Sequence, residues 1–258
     1  MSPRDTLADA AYFTQLITKE EGYLAEDRAD VRTFIEERGS RASGISSNIV
    51  KTQIICASMA YSRGDTIEDV RDRIQNAITD LRYLHELYER YADRLRHGHN
   101  AYWNHIRRLT YAILYAVDPE PLQAVIHDVE FFRKIDPILV AMLAYLKDEP
   151  VDREHDAPEL DFPDQFADLW HAISLRGEAA IPPLRRYLET WYDRNLPLGG
   201  DGAPGIGAHV KMIRYQGYWC WEAAAVVVMM DIDDSTFRDH PHYPKDLVDW
   251  AKMQKANR

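Results

Sequence analysis

Ten histidines, two cysteines and a surplus of carboxylates are the residue types here that could do chemistry. His97-x-His99 with His105 forms one group. His240-x-His242 near Asp231, Asp233, Asp234 and Asp239 forms another. A resident metal needs three or four converging donors, and neither group has a spacing such as H-E-x-x-H or C-x-x-C. A histidine that caps the last carbonyls of a helix is the commoner use. His127-Asp128 offers an imidazole and a carboxylate together, but adjacent helical residues diverge by about 100°. Gly200-x-Gly202-x-x-Gly205 spells a phosphate-cradling string. That motif needs a strand before it and a helix packed behind it. Here a helical pattern ends near Asn195 and Pro204 interrupts the string, which predicts a connecting loop. Cys56 (in IICASMAY) and Cys220 (in YWCWEAAAVV) sit in apolar runs that predict buried, inert thiols. The residues therefore assign no metal, no cofactor and no catalytic group.

The charge balance excludes further classes. The chain has 258 residues, with 31 Lys+Arg against 42 Asp+Glu, a net charge of −11. Phosphate binding needs basic surface, so direct nucleic-acid binding is not expected. Anionic membrane surfaces are excluded on the same ground. Hydrophobic residues at 46% and aromatics at 11% predict a folded chain. MSPRDTLADAAYF has an acid by residue 5 and no apolar h-region, which predicts no signal peptide. The longest strongly apolar run, 223–230, is far short of the ~20 residues that span a bilayer. Together these predict a cytoplasmic protein.

The elements that must position these groups read as helices. Thr66 with Asp69 is a helix start signal. Ile67, Val70, Ile74, Ile78, Leu81, Leu84, Tyr88, Tyr91 and Leu95 then follow at steps of three and four. That stripe predicts one long central helix of about 45 Å. Further helices are predicted over 5–38 (with a break near Gly22), 46–63, 100–117, 120–134, 137–147, 163–175, 178–195, 216–230 and 244–254. Residues 46–63 are apolar on most faces and predict a buried position. No stretch alternates with period two, so the fold class is all-α. It is expected as two packed subdomains of antiparallel helices, 1–134 and 135–258, with no sheet. Residues 148–168 hold nine acids, one base and three prolines, an exposed connection whose acidic part is 148–161.

The most distinctive stretch runs from Tyr215 to Leu247. It carries Tyr215, Gly217, Tyr218, Trp219, Trp221 and Glu222 before Ala223-Ala224-Ala225. Asp233-Asp234-Ser235 and Tyr243-Pro244-x-Asp246 follow. The aromatics supply anchoring area, the alanines allow close helix approach, and Asp233 or Asp234 can cap a turn over 235–238. Most of these residues read as structural core. The pattern, with Phe162-Pro163-Asp164 and Leu188-Glu189-Thr190-Trp191-Tyr192, resembles the C-terminal domain of the PoNi family, immunity proteins for PoNe-type DNase toxins of polymorphic and type VI secretion systems. The N-terminal half resembles that family's helical N-terminal domain. His242 stands where a second tyrosine often precedes Tyr243.

The resemblance implies a cytoplasmic protein that is not an enzyme and that binds and blocks a cognate nuclease toxin. It leaves a homodimer open. An acidic inhibitor suits a DNase, whose DNA-binding surface is basic. The first candidate for the toxin interface is Asp152, Glu154, Asp156, Glu159, Asp161 and Asp164. A solvated acidic linker without a partner is the plain alternative for those residues. For the chain as a whole the alternatives are a metal-dependent HD-type phosphohydrolase using His127 and Asp128, or a helical scaffold.

Overall fold

A computed structural model describes residues 3–38, 40–91, 99–132, 136–153, 160–194, 207–211 and 214–257. Among these residues every regular element is helical and there is no strand, so the all-α expectation holds. No described helix is long and apolar enough to cross a membrane. The chain divides into two compact units, each assembled from three stretches. One comprises Met1–Ala101, Val117–Asp128 and Gly199–Gly217. The other comprises Tyr102–Ala116, Val129–Leu198 and Tyr218–Arg258.

The first unit is built on α1 (Ala10–Arg38), α2 (Ser40–Arg63), α3 (Ile67–Thr79) and α4 (Leu81–Tyr91). α1 buries Phe13, Ile17, Leu24 and Val31, a stripe at helical spacing. Leu24 and Val31 cluster with Ile49 and Cys56 of α2. Arg63, the last residue of α2, reaches the Thr14 hydroxyl near the start of α1 at 3.3 Å, so the two helices run antiparallel. From Thr52 to Ser62 every residue of α2 is buried. α2 packs on α1, α3 and α4 and forms the centre of this unit. Each large aliphatic side chain buried there contributes about 1.5–3 kcal/mol.

The single long helix expected from Thr66 is two helices. Thr66 caps α3 as its sequence predicts, accepting from the Asp69 amide at 3.1 Å. The helix then closes at Asp80, whose N–H is shared between Asn76 O and Ile78 O. Aspartate is a poor interior helix residue because its carboxylate finds other partners. Here Arg28 and Gln53 donate to Asp80 Oδ2 at 2.8 and 3.0 Å. The apolar stripe survives the break: Ile67, Val70, Ile74, Ile78, Leu81 and Leu84 are all buried. Leu95 lies outside the described residues. The break expected near Gly22 does not occur, and α1 runs through it. α6 (Pro119–Phe132) crosses from one stretch to the next, and α10 (Ala208–Lys211) is a single turn.

The second unit contains most of α5 (His99–Leu114), then α7 (Pro137–Leu146), α8 (Pro163–Ser174), α9 (Ile181–Arg194), α11 (Trp221–Met230) and α12 (Lys245–Ala256). A 3₁₀ turn, Gly177–Ala180, precedes α9, so the helix starts three residues later than its sequence suggested. Phe166 of α8 centres an aromatic core, with ring centroids 4.9 Å from Trp103, 5.4 Å from Tyr102 and 6.2 Å from Tyr187. α11 is buried on all sides from Trp221 to Met229. It packs on α8, α9 and α12. It ends at Asp231 in the left-handed region (φ 53°). Lys255 and Lys252 of α12 donate to Val228 O and Ile232 O at 3.1 and 2.9 Å. Two ammonium groups thus meet the partial negative charge where α11 ends.

Gly22 lies mid-helix on the exposed side of α1, with no atom within 4 Å of where a β-carbon would sit. Gly22→Ala is expected to stabilise the protein by about 0.5–1 kcal/mol. A raised urea midpoint with unchanged slope checks this, and a lowered midpoint would contradict it.

Candidate functional site

Tyr215–Cys220 is the stretch in which the fold departs most from the helical reading. The helix expected from Gln216 begins only at Trp221. The six residues before it are all buried without being helical. Gly217 explains the departure in part: its φ of 93° is a left-handed conformation that other residues rarely adopt. In the first unit Tyr215 is fastened at both ends. Its N–H donates to the Tyr12 hydroxyl oxygen at 2.9 Å, and its own hydroxyl donates to Asp5 Oδ2 at 2.6 Å. Burial raises the Tyr12 pKa, the bond from Tyr215 opposes that, and the Asp5 charge adds to it.

In the second unit a histidine loop clamps Tyr218–Cys220. The Cys220 N–H donates to His242 O at 2.8 Å. His242 Nδ1 lies 3.1 Å from Tyr218 O. A carbonyl only accepts, so this nitrogen carries the proton. The His242 N–H donates to His240 Nδ1 at 3.2 Å, so that nitrogen is unprotonated. The His242 ring stacks on Tyr192 at 5.6 Å and lies 5.6 Å from Trp191. Tyr192 meets Tyr218 edge-on at 5.0 Å. Burial lowers the pKa of both histidines, and the proximity of His242 lowers that of His240 further, against Glu189.

The acids of the motif separate by environment. Asp234 is 5% exposed. It accepts from the Tyr243 hydroxyl and from Arg238, both at 3.1 Å. Burial, then the Asp234 charge, pushes the Tyr243 phenol far above its ordinary range. Asp233 is exposed and turns the chain, accepting from the Ser235 N–H at 2.9 Å and its hydroxyl at 3.1 Å. Those two bonds hold its carboxyl below the usual range. Glu222 is buried, and burial raises its pKa; the nearby Arg107 and Trp191 oppose the shift. Trp221 packs edge-on against Tyr111 at 5.5 Å and lies 6.2 Å from Trp219. Pro244 stands as the N-cap of α12 rather than its first residue. Asp246 Oδ1 accepts from the Leu247 N–H at 3.0 Å in the first turn.

The acidic candidates lie elsewhere. Asp152, Asp161 and Asp164 are exposed, and Glu154, Asp156 and Glu159 fall outside the described residues. One anchor was not read from the sequence. Asp136 is buried and caps α7, accepting from the Ile138 and Leu139 amides at 2.9 and 3.3 Å. Its second oxygen accepts from the Asp161 N–H at 3.1 Å. The cap thus fixes one end of the acidic connection. Asp-Pro at 136–137 is the signature that could have revealed it.

The catalytic readings gain no constellation. Among the described residues no three of His, Cys, Asp and Glu converge as metal ligands. His127 is exposed, with its ring centroid 4.6 Å from that of His85. His105 is buried in α5, and His97 lies outside the described residues. The glycine string 200–205 also lies outside them. Burial raises the pKa of both cysteine thiols, Cys56 to about 12, so neither is a thiolate near neutral pH.

Two outcomes are expected. Gly217→Ala should destabilise by about 1–2 kcal/mol, read by chemical denaturation, because a β-carbon is strained at this φ. Acid should loosen the histidine clamp. Depressed histidine pKa values mean that the unfolded chain binds more protons, so this contribution is full above about pH 6.5 and is lost as pH falls below it. Amide exchange at Cys220, corrected for intrinsic rates, should accelerate between pH 7 and 5 relative to Val227 within α11. Equal protection at both would contradict this.

Residues 136–247 match the family of PoNe immunity proteins (PoNi), C-terminal. No curated protein matches the chain. Among solved structures, the crystal structure of protein PA2201 from Pseudomonas aeruginosa superposes with a TM-score of 0.60 at 17% identity. The match covers 98% of this chain and 92% of that one. At that identity the likeness is one of fold. Residues 136–247 are thus similar to the C-terminal domain of the PoNe immunity proteins (PoNi).

Proposed function

We propose that this protein is a non-enzymatic immunity protein that binds a cognate PoNe-type DNase toxin in the cytoplasm. It blocks the toxin by direct occlusion through an acidic surface, in defence against a type VI or other polymorphic toxin system. The observation that carries this reading is the family match over residues 136–247. That match begins one residue into the proposed C-terminal domain, 135–258.

The physical support is charge. A DNase must present basic surface to the DNA backbone. A chain at −11 is attracted to that surface, and the attraction raises the association rate. Residues 151–258, which hold most of the matched segment, carry 18 acids against 12 bases and are denser in negative charge than residues 1–150. Asp152, Asp161 and Asp164 are exposed there, and the Asp136 cap holds the main chain at Asp161. We place the toxin interface on this segment, with Glu154, Asp156 and Glu159.

The test neutralises Asp152, Glu154, Asp156 and Glu159 together, to Asn or Gln. Affinity is then measured for a catalytically inactive nuclease domain encoded beside this gene. Exposed charge pairs are worth about 0.2–1 kcal/mol each, so binding should weaken roughly tenfold or more at low salt. The difference should shrink as salt screens the pairs. An unchanged Kd across salt would remove the interface assignment but leave the complex. Failure of the wild-type chain to bind or inhibit the nuclease would remove the function.

A further inference from the structure

We propose that a cavity between α1 and α2 receives an arginine side chain of the nuclease partner. This rests on the toxin reading and names a contact in the first unit besides the acidic segment of the second. The cavity has a volume of about 560 Å³, within the range of ligand sites. One face of α1 and one of α2 line it, with Arg214 beside them.

The lining is divided by charge. Lys19, Glu20 and Arg214 hold one end. Arg214 donates to Glu20 Oε2 at 2.6 Å, so these two charges answer each other. Lys19 Nζ stands 5.9 Å from the centre of the Tyr23 ring. Glu26 and Asp27 hold the other end, about 10 Å further along α1. Lys51 also lines the cavity, yet no lysine or arginine is among the charges that act on Asp27. Burial raises the Asp27 pKa, and the charges of Asp30 and Glu26 add to it. Asp30 itself does not line the cavity.

Thr52 marks the acidic end as a place for a ligand. α1 and α2 run antiparallel, and Leu24 and Val31 cluster with Cys56 and Ile49, which sets Thr52 level with Asp27. Thr52 lines the cavity and is 7% exposed. Its hydroxyl makes no hydrogen bond among the described residues, yet it is not sealed as the Ser46 and Gln53 oxygens are. It is therefore open to the cavity that it lines.

Every polar side chain named at this end can accept: two carboxylates, the Thr52 hydroxyl and the Asn48 amide oxygen. Such a set selects a cation that brings several donors. Two carboxylates fall short of a metal site, and among the described residues no third ligand converges on them. An ammonium brings three donors at a point, and a guanidinium brings five in a plane. Tyr23, 50% exposed between the two ends, offers ring surface on which that plane can lie. Arginine is therefore favoured over lysine. A surface that binds the DNA backbone supplies such side chains.

The first test measures affinity of the full chain for the inactive nuclease domain. Glu26→Gln with Asp27→Asn removes two charges that repel each other, so the fold is kept. Binding should weaken roughly tenfold or more, mainly through faster dissociation. Tyr23→Ala, at an exposed position, should weaken it roughly tenfold. Glu36→Gln with Glu37→Gln removes the same charge from exposed positions of α1 outside the cavity, and should change the Kd less than about twofold. The second test follows the Asp27 and Thr52 amide resonances of the ¹⁵N-labelled chain. N-acetyl-arginine methylamide should shift both with an affinity of about millimolar. The lysine counterpart should bind roughly tenfold more weakly, and the neutral citrulline counterpart should give no shift. No shift with the arginine derivative, lysine or citrulline derivatives that bind as well, or an unaltered nuclease Kd in the Glu26, Asp27 variant would overturn this contact and leave the toxin reading standing. Failure of the unaltered chain to bind the nuclease would remove the toxin reading and this contact with it.

Discussion

Buried main chain must pair its polar groups, and six consecutive buried residues here lack a helix with which to do so. Tyr215–Cys220 therefore draws partners from elsewhere in the chain. Tyr12 and Asp5 serve Tyr215 in one unit. In the other, His242 serves Tyr218 and Cys220 through its ring and its carbonyl. The remaining features of the C-terminal unit follow from that demand. His242 must be held, so His240, Trp191 and Tyr192 pack around it. The loop that carries it must turn sharply, so Asp233 and Asp234 bend the chain and Tyr243 locks it. Sequence reading marks these residues as a motif. The structure gives the motif a physical content, which is the satisfaction of one buried non-helical segment.

Polar groups recur as fasteners in both units, and each answers a local shortage of partners. Asp136 satisfies the first amides of α7 and then the Asp161 N–H. Asp80 closes α3 while it accepts from α1 and α2. Lys255 occupies a carbonyl of the last turn of α11, and Lys252 one just beyond its end. Buried carboxylates of this kind are costly unless several donors meet them. Asp234, with Tyr243 and Arg238, has both. Glu222 has weaker support, and burial raises its pKa accordingly.

Periodicity made much of the fold legible. The stripe from Ile67 to Leu84 is buried as its spacing demands, and the prolines at 119, 137 and 163 each open a helix. What stayed hidden depended on distant residues. Nothing local to Asp80 says that Arg28 and Gln53 will meet it, so two helices read as one. Nothing in Gln216–Cys220 announces non-helical backbone except Gly217, because aromatics and cysteine are compatible with a helix. The C-terminal motif could be named from its residues, yet its purpose required the His242 loop, more than twenty residues downstream. Gln53 was hidden in the same way: at the polar head of an apolar run, nothing local says that its amide is buried against Asp80.

α11 also bears on how such a protein can change. It is buried on every side from Trp221 to Met229, and its small Ala223–Ala225 segment leaves no slack. A drifting lineage can alter almost nothing there without losing the fold. Divergence toward a new partner is confined to residues that meet water, such as Asp152, Asp161 and Asp164 and the outer face of α1. The helix buried within the matched segment is therefore the part least able to encode a choice of partner.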